Sequence, residues 1–276
     1  MLIWELIKTV LFGIVEGITE WLPISSTGHM ILLDELLSLN VSPAFMELFE
    51  VVIQLGAILA VIVLFFGKLN PFAPSKTREE KAGTWKLWLR VIVAVLPSAV
   101  IGLLLDDWLD AHFYNYVTVA ITLILYGIAF IILEKCRKDR AVRVDRVEDI
   151  TYRDALMIGG FQVLAVIPGT SRSGSTILGA MLFGLSRTAA AEFSFYLAIP
   201  TMAGASLLKG VKFFLEGNTL GGEEWAILGV GCLVAFLTSL LVIRYLMDYV
   251  RRHSFSAFGV YRIILGALVL GYFLLK

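Results

Sequence analysis

Long apolar runs constrain the fold of this chain more than any other feature of its sequence. One of them, LFEVVIQLGAILAVIVLFFG, covers residues 48–67 and is long enough to cross the hydrocarbon core of a bilayer as a helix. Hydrophobic residues make up 58% of the 276 residues and charged residues 17%, whereas a soluble domain carries about 25% charged residues. The sequence therefore predicts an all-α, polytopic integral membrane protein.

Two polar islands interrupt the apolar runs. The first island, EGITEWLPISSTGH, covers residues 16–29, and the second island, PGTSRSGST, covers residues 168–176. Ionisable groups at membrane depth are costly, so they are candidates for a functional site by default. We therefore expect the fold to bring the two islands together.

The apolar segments predict six transmembrane helices, at about residues 47–66, 90–105, 116–134, 189–211, 225–243 and 256–275. Pro23 and Pro168 lie within the two islands and interrupt them, because proline has no N–H to donate and clashes with the preceding helical turn. Helices of about residues 1–15 and 153–166 precede these breaks, and a second short helix follows each one. The islands thus lie in two helical hairpins, 1–37 and 154–186.

The charge distribution predicts how these segments are oriented. Lys and Arg cluster in residues 68–90, 135–153 and 244–252, whereas residues 216–224 hold three Glu and no basic residue. A second acidic segment, residues 106–116, carries Asp106, Asp107 and Asp110. The positive-inside rule places the basic segments in the cytoplasm. Counting crossings from them makes both hairpins re-entrant, from opposite faces, with both termini outside.

The two halves also match in sequence. Residues 13–32 align without gaps on residues 159–178, and five aligned pairs are identical: Gly13/Gly159, Ser25/Ser171, Gly28/Gly174, Ile31/Ile177 and Leu32/Leu178. Inverted repeats with broken helices that meet near the midplane are a known membrane architecture. We therefore predict one membrane domain with two inverted-topology repeats, residues 1–150 and residues 151–276, each with a hairpin and three spans.

The net charge, the two cysteines and the first residues of the chain argue against several classes of partner and site. The formal net charge is zero, which argues against a nucleic-acid partner. Cys136 and Cys232 lie in a basic loop and an apolar segment, so neither a disulfide nor a metal cluster is indicated. The first residues lack the basic region and cleavage site of a signal peptide, and we expect them to remain in the mature protein.

Glu16 and Glu20 are the acidic candidates. At i and i+4 they project from one face of a helix. Two such carboxylates could hold a divalent cation such as Mg²⁺ or Ca²⁺, which prefers oxygen ligands, or one of them could act as a general base. The alternative is a structural pair that is hydrogen-bonded to other helices.

Ser25, Ser26, Thr27 and His29 follow the first break. Plain helix capping would account for the hydroxyl residues. The N–H groups at a helix N-terminus also bind anions such as phosphate. A serine near a histidine and a carboxylate can act as a nucleophile, which makes Ser26 and His29 catalytic candidates.

Arg172 is the main candidate of the second island, because its planar guanidinium suits bidentate phosphate binding. Ser171, Ser173, Ser175 and Thr176 surround it, and Gly174 allows the backbone to approach a ligand closely. Alternatively, Arg172 could extend to the membrane interface or pair with Glu16 or Glu20. Three further cations, Lys209, Lys212 and Arg262, are expected to reach for the interfaces.

The two islands resemble the signature regions of the bacterial undecaprenyl-diphosphate phosphatase family, also called the bacitracin-resistance protein family. The segments EVVIQLGAILAV and AAEFSFYLAIP resemble that family as well, so the resemblance spans the whole chain. It implies hydrolysis of undecaprenyl diphosphate to the monophosphate in the bacterial cytoplasmic membrane, which recycles a lipid carrier for peptidoglycan and other envelope polymers. It also implies a divalent-cation requirement and a site reached from the outer side.

The residues and the resemblance together give a candidate site. Glu20, Ser26, His29 and Arg172 are the predicted catalytic residues, with Ser26 or a water as nucleophile and His29 as proton donor to the leaving group or base in a second step. The predicted metal ligands are Glu16 and Glu20. The predicted substrate-binding residues are Ser25, Thr27, Ser171, Ser173, Gly174 and Thr176. The expected partners are the polyprenyl diphosphate and membrane lipids, and a homodimer is left open.

A transporter is the competing interpretation. Inverted repeats and buried carboxylates are also what an ion-coupled lipid-phosphate flippase would have. The cluster SSTGH favours the enzyme, because a transporter has little need of a nucleophile.

Overall fold

A computed structural model describes residues 2–113, 115–137 and 141–275, without the side chains of residues 106, 107 and 109–111. Within these ranges the chain forms eleven α-helices and no strand longer than one bridge. The helices are α1 Leu2–Thr19, α2 Ser26–Leu37, α3 Pro43–Leu64, α4 Phe66–Leu69, α5 Arg78–Phe113, α6 Tyr116–Arg137, α7 Tyr152–Val163, α8 Arg172–Leu182, α9 Arg187–Leu215, α10 Gly222–Arg252 and α11 Ser256–Leu275. The predicted all-α class is confirmed.

The helix breaks fall in the two islands, as the prolines predict. The first helix is longer than expected: α1 continues through Glu16 to Thr19, and the amide of Glu20 still bonds to the carbonyl of Glu16, at 3.0 Å. The predicted end at about residue 15 is therefore wrong, because a carboxylate does not itself end a helix. The chain then turns before Pro23 and resumes as α2.

Five helices are long and apolar enough to cross a membrane, among the residues that the structure describes: α3, α5, α6, α10 and α11. The sixth predicted span corresponds to α9, which is not among them. This helix carries the polar residues Glu192, Ser194 and Ser206, all buried against neighbouring helices. Side chains such as Leu103, Leu104 and Leu241 are exposed on the outer surface of the bundle, as expected for helices that face lipid.

The long helices pack on the hairpin helices α1 and α7 and on one another, and α10 contacts both α1 and α3. Helix α1 packs on α10 and α7 packs on α5, while α3 packs on α9 and α6 packs on α11. Close contact of the first two pairs requires glycine. A Cβ atom added to Gly13 would lie 2.9 Å from the carbonyl oxygen of Gly231, and one added to Gly159 would lie 2.3 Å from that of Ala94.

Two sequence-based expectations concern the acidic segment at residues 106–116 and the two cysteines. Asp106, Asp107 and Asp110, expected in an outer acidic segment, lie outside the described side chains. Cys136 and Cys232 are free in the structure.

Candidate functional site

The hairpins α1–α2 and α7–α8 turn with the same local geometry. Ser25 precedes α2 with φ 72°, and its hydroxyl accepts a hydrogen bond from the amide of Gly28. Ser171 precedes α8 with φ 72°, and its hydroxyl accepts a hydrogen bond from the amide of Gly174. These are the two positive-φ non-glycine residues that the described part of the chain contains. Such a conformation is costly for serine and tends to occur at functional sites.

Glu20 joins the two hairpins. Its Oε2 accepts a hydrogen bond from the hydroxyl of Ser26 at 2.9 Å, and its Oε1 accepts one from Nη2 of Arg172 at 2.9 Å. The hydroxyl of Ser173 donates to the backbone carbonyl of Glu20 at 3.0 Å. Glu20 is 6% exposed, so this ion pair is buried. The structure thus brings residues of the two polar islands into direct contact.

A backbone carbonyl of α9 fixes the other side of Arg172. Nη1 of Arg172 donates to the carbonyl of Ser194 at 2.7 Å, and its guanidinium lies 6.0 Å from the ring centre of Trp21. Thr176, predicted to bind substrate, is fully buried, and its hydroxyl bonds to the carbonyl of Arg172 and to the hydroxyl of Ser194. Thr176 therefore supports the residues that hold Arg172.

Some of the remaining hydroxyl residues of the islands lie at the hairpin junction, where Glu20 contacts both hairpins, and others lie beside it. The hydroxyls of Ser171 and Ser173 lie 3.2 Å apart at the start of α8. Ser175 instead points back into its own hairpin and donates to the carbonyl of Phe161. Thr27 lies half-buried in the first turn of α2.

Several buried polar atoms near this junction have no hydrogen-bond partner. Five buried side-chain atoms of the described residues lack one, and four of them belong to the two hairpins: Glu16 Oε1, Trp21 Nε1, Gln162 Oε1 and Arg172 Nε. An unpaired buried polar atom is costly and indicates an unmet ligand, water or ion. Three of these atoms belong to the residues around Glu20. Trp21 Nε1 and Arg172 Nε donate, which suits phosphate oxygens, and Glu16 Oε1 accepts, which suits a cation.

The donor set at Glu16 fits a divalent cation. Glu16 is 1% exposed and lies within electrostatic reach of Glu20, Glu50 and Arg172. No group of three or more His, Cys, Asp or Glu residues within the described ranges is arranged to hold a metal ion. Mg²⁺ often binds through one or two carboxylates together with substrate phosphates, so a site with only Glu16 and Glu20 as protein ligands is chemically compatible with such a cation.

His29 faces a different part of the site from Ser26. Its Nδ1 lies 2.7 Å from the carbonyl oxygen of Ser25, and its Nε2 lies 2.7 Å from the hydroxyl of Tyr261 in α11. The carboxylate that contacts the hydroxyl of Ser26 is that of Glu20, whereas His29 contacts α11. Ser26 and His29 are half-buried and Tyr261 is exposed, so the candidate site is least buried on this side.

Arg262 is fully buried, and the expectation that it reaches an interface is wrong. Its guanidinium donates to the carbonyls of Pro23 at 3.2 Å, Gly169 at 2.9 Å and Thr170 at 2.9 Å. It also lies 5.4 Å from the ring centre of Tyr126. The guanidinium of Arg262 therefore bonds to the tips of both hairpins. These contacts are a structural reason for an arginine buried within the bundle.

One cavity of the structure lies away from the hairpin junction. It has a volume of about 670 Å³ and is lined by residues at the ends of α6, α9 and α10, among them Glu134, Arg187 and Arg251. None of the predicted site residues lines it. The hairpin junction itself is closely packed, since Glu16 and Ser173 are each 1% exposed.

Comparisons with known proteins show the family of this chain. The model of a family described as "Bacitracin resistance protein BacA" matches residues 9–268. The chain belongs to this family. A protein of Enterococcus faecalis named undecaprenyl-diphosphatase is 60% identical over 99% of both chains. Proteins of the same name from Limosilactobacillus fermentum and Streptococcus thermophilus are 56% and 58% identical, over 98% and 97% of this chain and 98% and 93% of their own.

In this BacA-family chain, sequence reasoning missed the contribution of α11 to the site. Tyr261 contacts His29 across 232 sequence positions, and Arg262 reaches both hairpin tips. One signal could have identified Arg262. It lies in the second turn of an otherwise uncharged 20-residue helix, where a cation needs local acceptors unless it extends to an interface.

Proposed function

We propose that this chain hydrolyses undecaprenyl diphosphate to undecaprenyl phosphate and inorganic phosphate, and so recycles a lipid carrier for peptidoglycan and other envelope polymers. The family match and the name of the full-length relatives support this substrate. The structural observation that carries the proposal is the arrangement at Glu20, which contacts a hydroxyl nucleophile and a cation at once. This combination suits phosphoryl transfer, where catalysis depends on positioning and charge stabilisation.

Ser26 is the proposed nucleophile. Its hydroxyl donates to Glu20, so the carboxylate is placed to take the proton as Ser26 Oγ attacks the terminal phosphorus. The bond between that phosphorus and the bridging oxygen breaks, and undecaprenyl phosphate leaves with a proton. Water then cleaves the phosphoserine, which releases inorganic phosphate and restores the hydroxyl. Direct attack by water, with Glu20 as its base, is the alternative.

Arg172 is proposed to stabilise the negative charge of the transferred phosphoryl group. Its Nε has no partner in the structure, and its Nη atoms are aligned by Glu20 and Ser194. A guanidinium held in this way needs little reorganisation when charge develops on the phosphate oxygens. Ser171 and the N-terminal amides of α8 are proposed to bind the diphosphate together with it, since a helix N-terminus attracts anions.

A divalent cation is proposed at Glu16 and Glu20. The unpaired Oε1 of Glu16 is the observation that supports it. When bound, the cation supplies positive charge that neutralises phosphate oxygens. Glu16 would contribute a ligand to the cation, and Glu20 would also take the proton from Ser26. The protonation of the leaving group is proposed for His29, which contacts the carbonyl of Ser25 and the hydroxyl of Tyr261.

We further propose that the halves 1–150 and 151–276 form inverted repeats with re-entrant hairpins. Three observations support it. Ser25 and Ser171 are aligned positions with the same φ and the same cap. Gly13 and Gly159 are aligned positions that each approach a backbone carbonyl of a long helix. The packing of α1 on α10 also corresponds to the packing of α7 on α5 when the halves are exchanged.

The basic segments support a cytoplasmic location for the loops that carry them, and the active site is proposed to be reached from the outer side of the cytoplasmic membrane. In a background without Cys136 and Cys232, single cysteines at positions 220 and 78 test this orientation. An impermeant thiol reagent applied to intact cells should label position 220 and leave position 78 unlabelled. Labelling of position 78 from outside would overturn the topology.

Phosphate release by the purified protein in detergent tests the proposed activity. Micelles have no second leaflet, so a flippase would release no phosphate from undecaprenyl diphosphate, whereas the enzyme should turn over. Glu20→Gln should reduce the rate by orders of magnitude, while Glu223→Gln, an exposed carboxylate at the start of α10, should leave it unchanged. Equal rates for wild type and Glu20→Gln would contradict the assignment.

A further inference from the structure

The contact between His29 and Tyr261 joins the first hairpin to the last helix. His29 Nε2 and the hydroxyl oxygen of Tyr261 lie 2.7 Å apart. The two rings are nearly parallel, with an interplanar angle of 8° and ring centres 5.6 Å apart. Tyr261 therefore holds the imidazole of His29 through both a hydrogen bond and a stacking contact. Tyr261 has no role in the phosphoryl transfer proposed for Ser26, Glu20 and Arg172.

The other ring nitrogen determines where the proton of His29 lies. Nδ1 is 2.7 Å from the carbonyl oxygen of Ser25, and a carbonyl can only accept a hydrogen bond. Nδ1 must therefore carry the hydrogen. In the neutral imidazole Nε2 is then a lone-pair acceptor, and the Tyr261 hydroxyl is the donor.

The charges around His29 favour this neutral form. Arg262, next to Tyr261 in α11, lies within electrostatic reach of His29 and carries a permanent charge. A second positive charge beside it would be repelled. From α1 the acidic side chains nearest the junction are Glu16 and Glu20, and Glu20 is already paired with Arg172. From α6, Tyr126 faces Arg262 and presents no charge.

We propose that Tyr261 is a positioning residue for the reaction: its hydroxyl donates to Nε2 of His29 and so fixes the tautomer that is protonated at Nδ1 and keeps its lone pair on Nε2. The strained backbone of Ser25 contributes to the same arrangement, because the Ser25 carbonyl accepts the hydrogen bond from Nδ1–H of His29. Neutral His29 then serves first as a proton acceptor through Nε2, and the water that cleaves the phosphoserine supplies that proton; only in this protonated state can His29 donate to a leaving group. The expected effect of Tyr261 on kcat rests on the proposed function, whereas the tautomer of His29 does not.

Tyr261→Phe isolates the hydroxyl from the stacking contact. The phenyl ring keeps its parallel packing on the imidazole, and only the donor to Nε2 is lost. Tyr272→Phe is the matched control, because Tyr272 lies in the same helix and its ring packs on Phe273, away from His29. A purely structural role for the aromatic ring at position 261 would make the two variants behave alike.

The test is nitrogen NMR of protein labelled with ¹⁵N-histidine, which has three histidines, and His29→Gln assigns the signal of interest. Near neutral pH the wild type should have a protonated Nδ1 and an unprotonated, hydrogen-bonded Nε2 at His29. Tyr261→Phe should shift the Nε2 resonance, and Tyr272→Phe should leave it in place. A proton on Nε2 in the wild type, or a spectrum that Tyr261→Phe does not alter, would overturn the proposal.

Kinetics give the second measurement. Loss of one hydrogen bond to His29 should lower kcat about fivefold to tenfold with KM unchanged, and Tyr272→Phe should alter neither. An unchanged kcat for Tyr261→Phe would refute the positioning role. If the wild-type protein released no phosphate, the proposed function would fail, while the histidine spectrum would still decide the tautomer.

Discussion

Arg172 and Glu20 form a buried ion pair between residues that are 152 positions apart, with Nη2 and Oε1 at 2.9 Å. Each belongs to a hairpin whose own helices offer it no such partner. A buried pair of this kind is costly to assemble, and removal of one charge leaves the other uncompensated. The site is therefore intact only when the two hairpins pack together correctly. Each partner of the ion pair is also a proposed catalytic group.

The first prediction concerns the divalent cation. Removal of metal by a chelator should abolish phosphate release, because the unpaired carboxylate oxygen of Glu16 is the site's acceptor for a cation. Glu16→Gln should raise the metal concentration needed for half-maximal rate, since an amide oxygen binds a cation more weakly. Gln162, at the aligned position of the second hairpin, indicates that an amide is compatible with the fold there. Full activity in chelator would exclude the cation from the mechanism.

The second prediction separates the two nucleophiles. If Ser26 attacks phosphorus, Ser26→Ala should eliminate turnover, because Glu20 would have no hydroxyl to deprotonate. Ser26→Cys should retain a fraction of the rate. The measurement is single-turnover phosphate release, with a thermal melt to check that each variant is folded. A rate for Ser26→Ala within about tenfold of wild type would instead favour attack by water.

The third prediction tests the cation shared by the hairpin tips. Arg262→Met should lower the thermal stability strongly, because several buried carbonyls lose their donor at a cost of about 1–3 kcal/mol each. Arg262→Lys should recover only part of the loss, since one ammonium cannot reach acceptors on both tips. The exposed Arg244 offers a control, and Arg244→Met should leave the melting temperature unchanged. A wild-type melting temperature for Arg262→Met would show that the tips do not depend on Arg262.

The fourth prediction uses two adjacent glycines of α7. A Cβ at Gly159 would lie 2.3 Å from the carbonyl oxygen of Ala94, whereas one at Gly160 would meet nothing within 4 Å. Gly159→Ala should therefore destabilise the protein by about 1–3 kcal/mol through overpacking. Gly160→Ala should be neutral or stabilising by up to about 1 kcal/mol, because alanine favours the helix. Equal melting temperatures for the two variants would contradict the close packing of α7 on α5.

Part of the fold and site follows from local sequence. Pro23 and Pro168 mark both hairpin tips because their effect on a helix is local. The serine caps follow from a hydroxyl residue three positions before Gly28 or Gly174. The proximity of Glu20 to Ser26 is likewise a short-range consequence of the turn.

The contributions of α11 could not be predicted in the same way. The acceptors of Arg262 are backbone carbonyls, which every residue carries and no sequence pattern marks. The donor to His29 lies 232 positions away, and its distance depends on how α11 packs on α6. The end of α1 was also misplaced, because a buried carboxylate is tolerated within a helix when the site requires it. The oligomeric state, including the homodimer considered from the sequence, stays a prediction.

The rate of phosphate release by Arg172→Lys tests the two-hairpin site most directly. We expect this variant to lose about 100-fold or more in kcat, nearly as much as Arg172→Ala, because a lysine cannot donate to Glu20, Ser194 and a phosphate oxygen in the geometry of the guanidinium. Arg153→Lys, an exposed arginine at the start of α7, should keep the wild-type rate. Folded Arg172→Lys that turns over undecaprenyl diphosphate at the wild-type rate would contradict a catalytic site built from both hairpins.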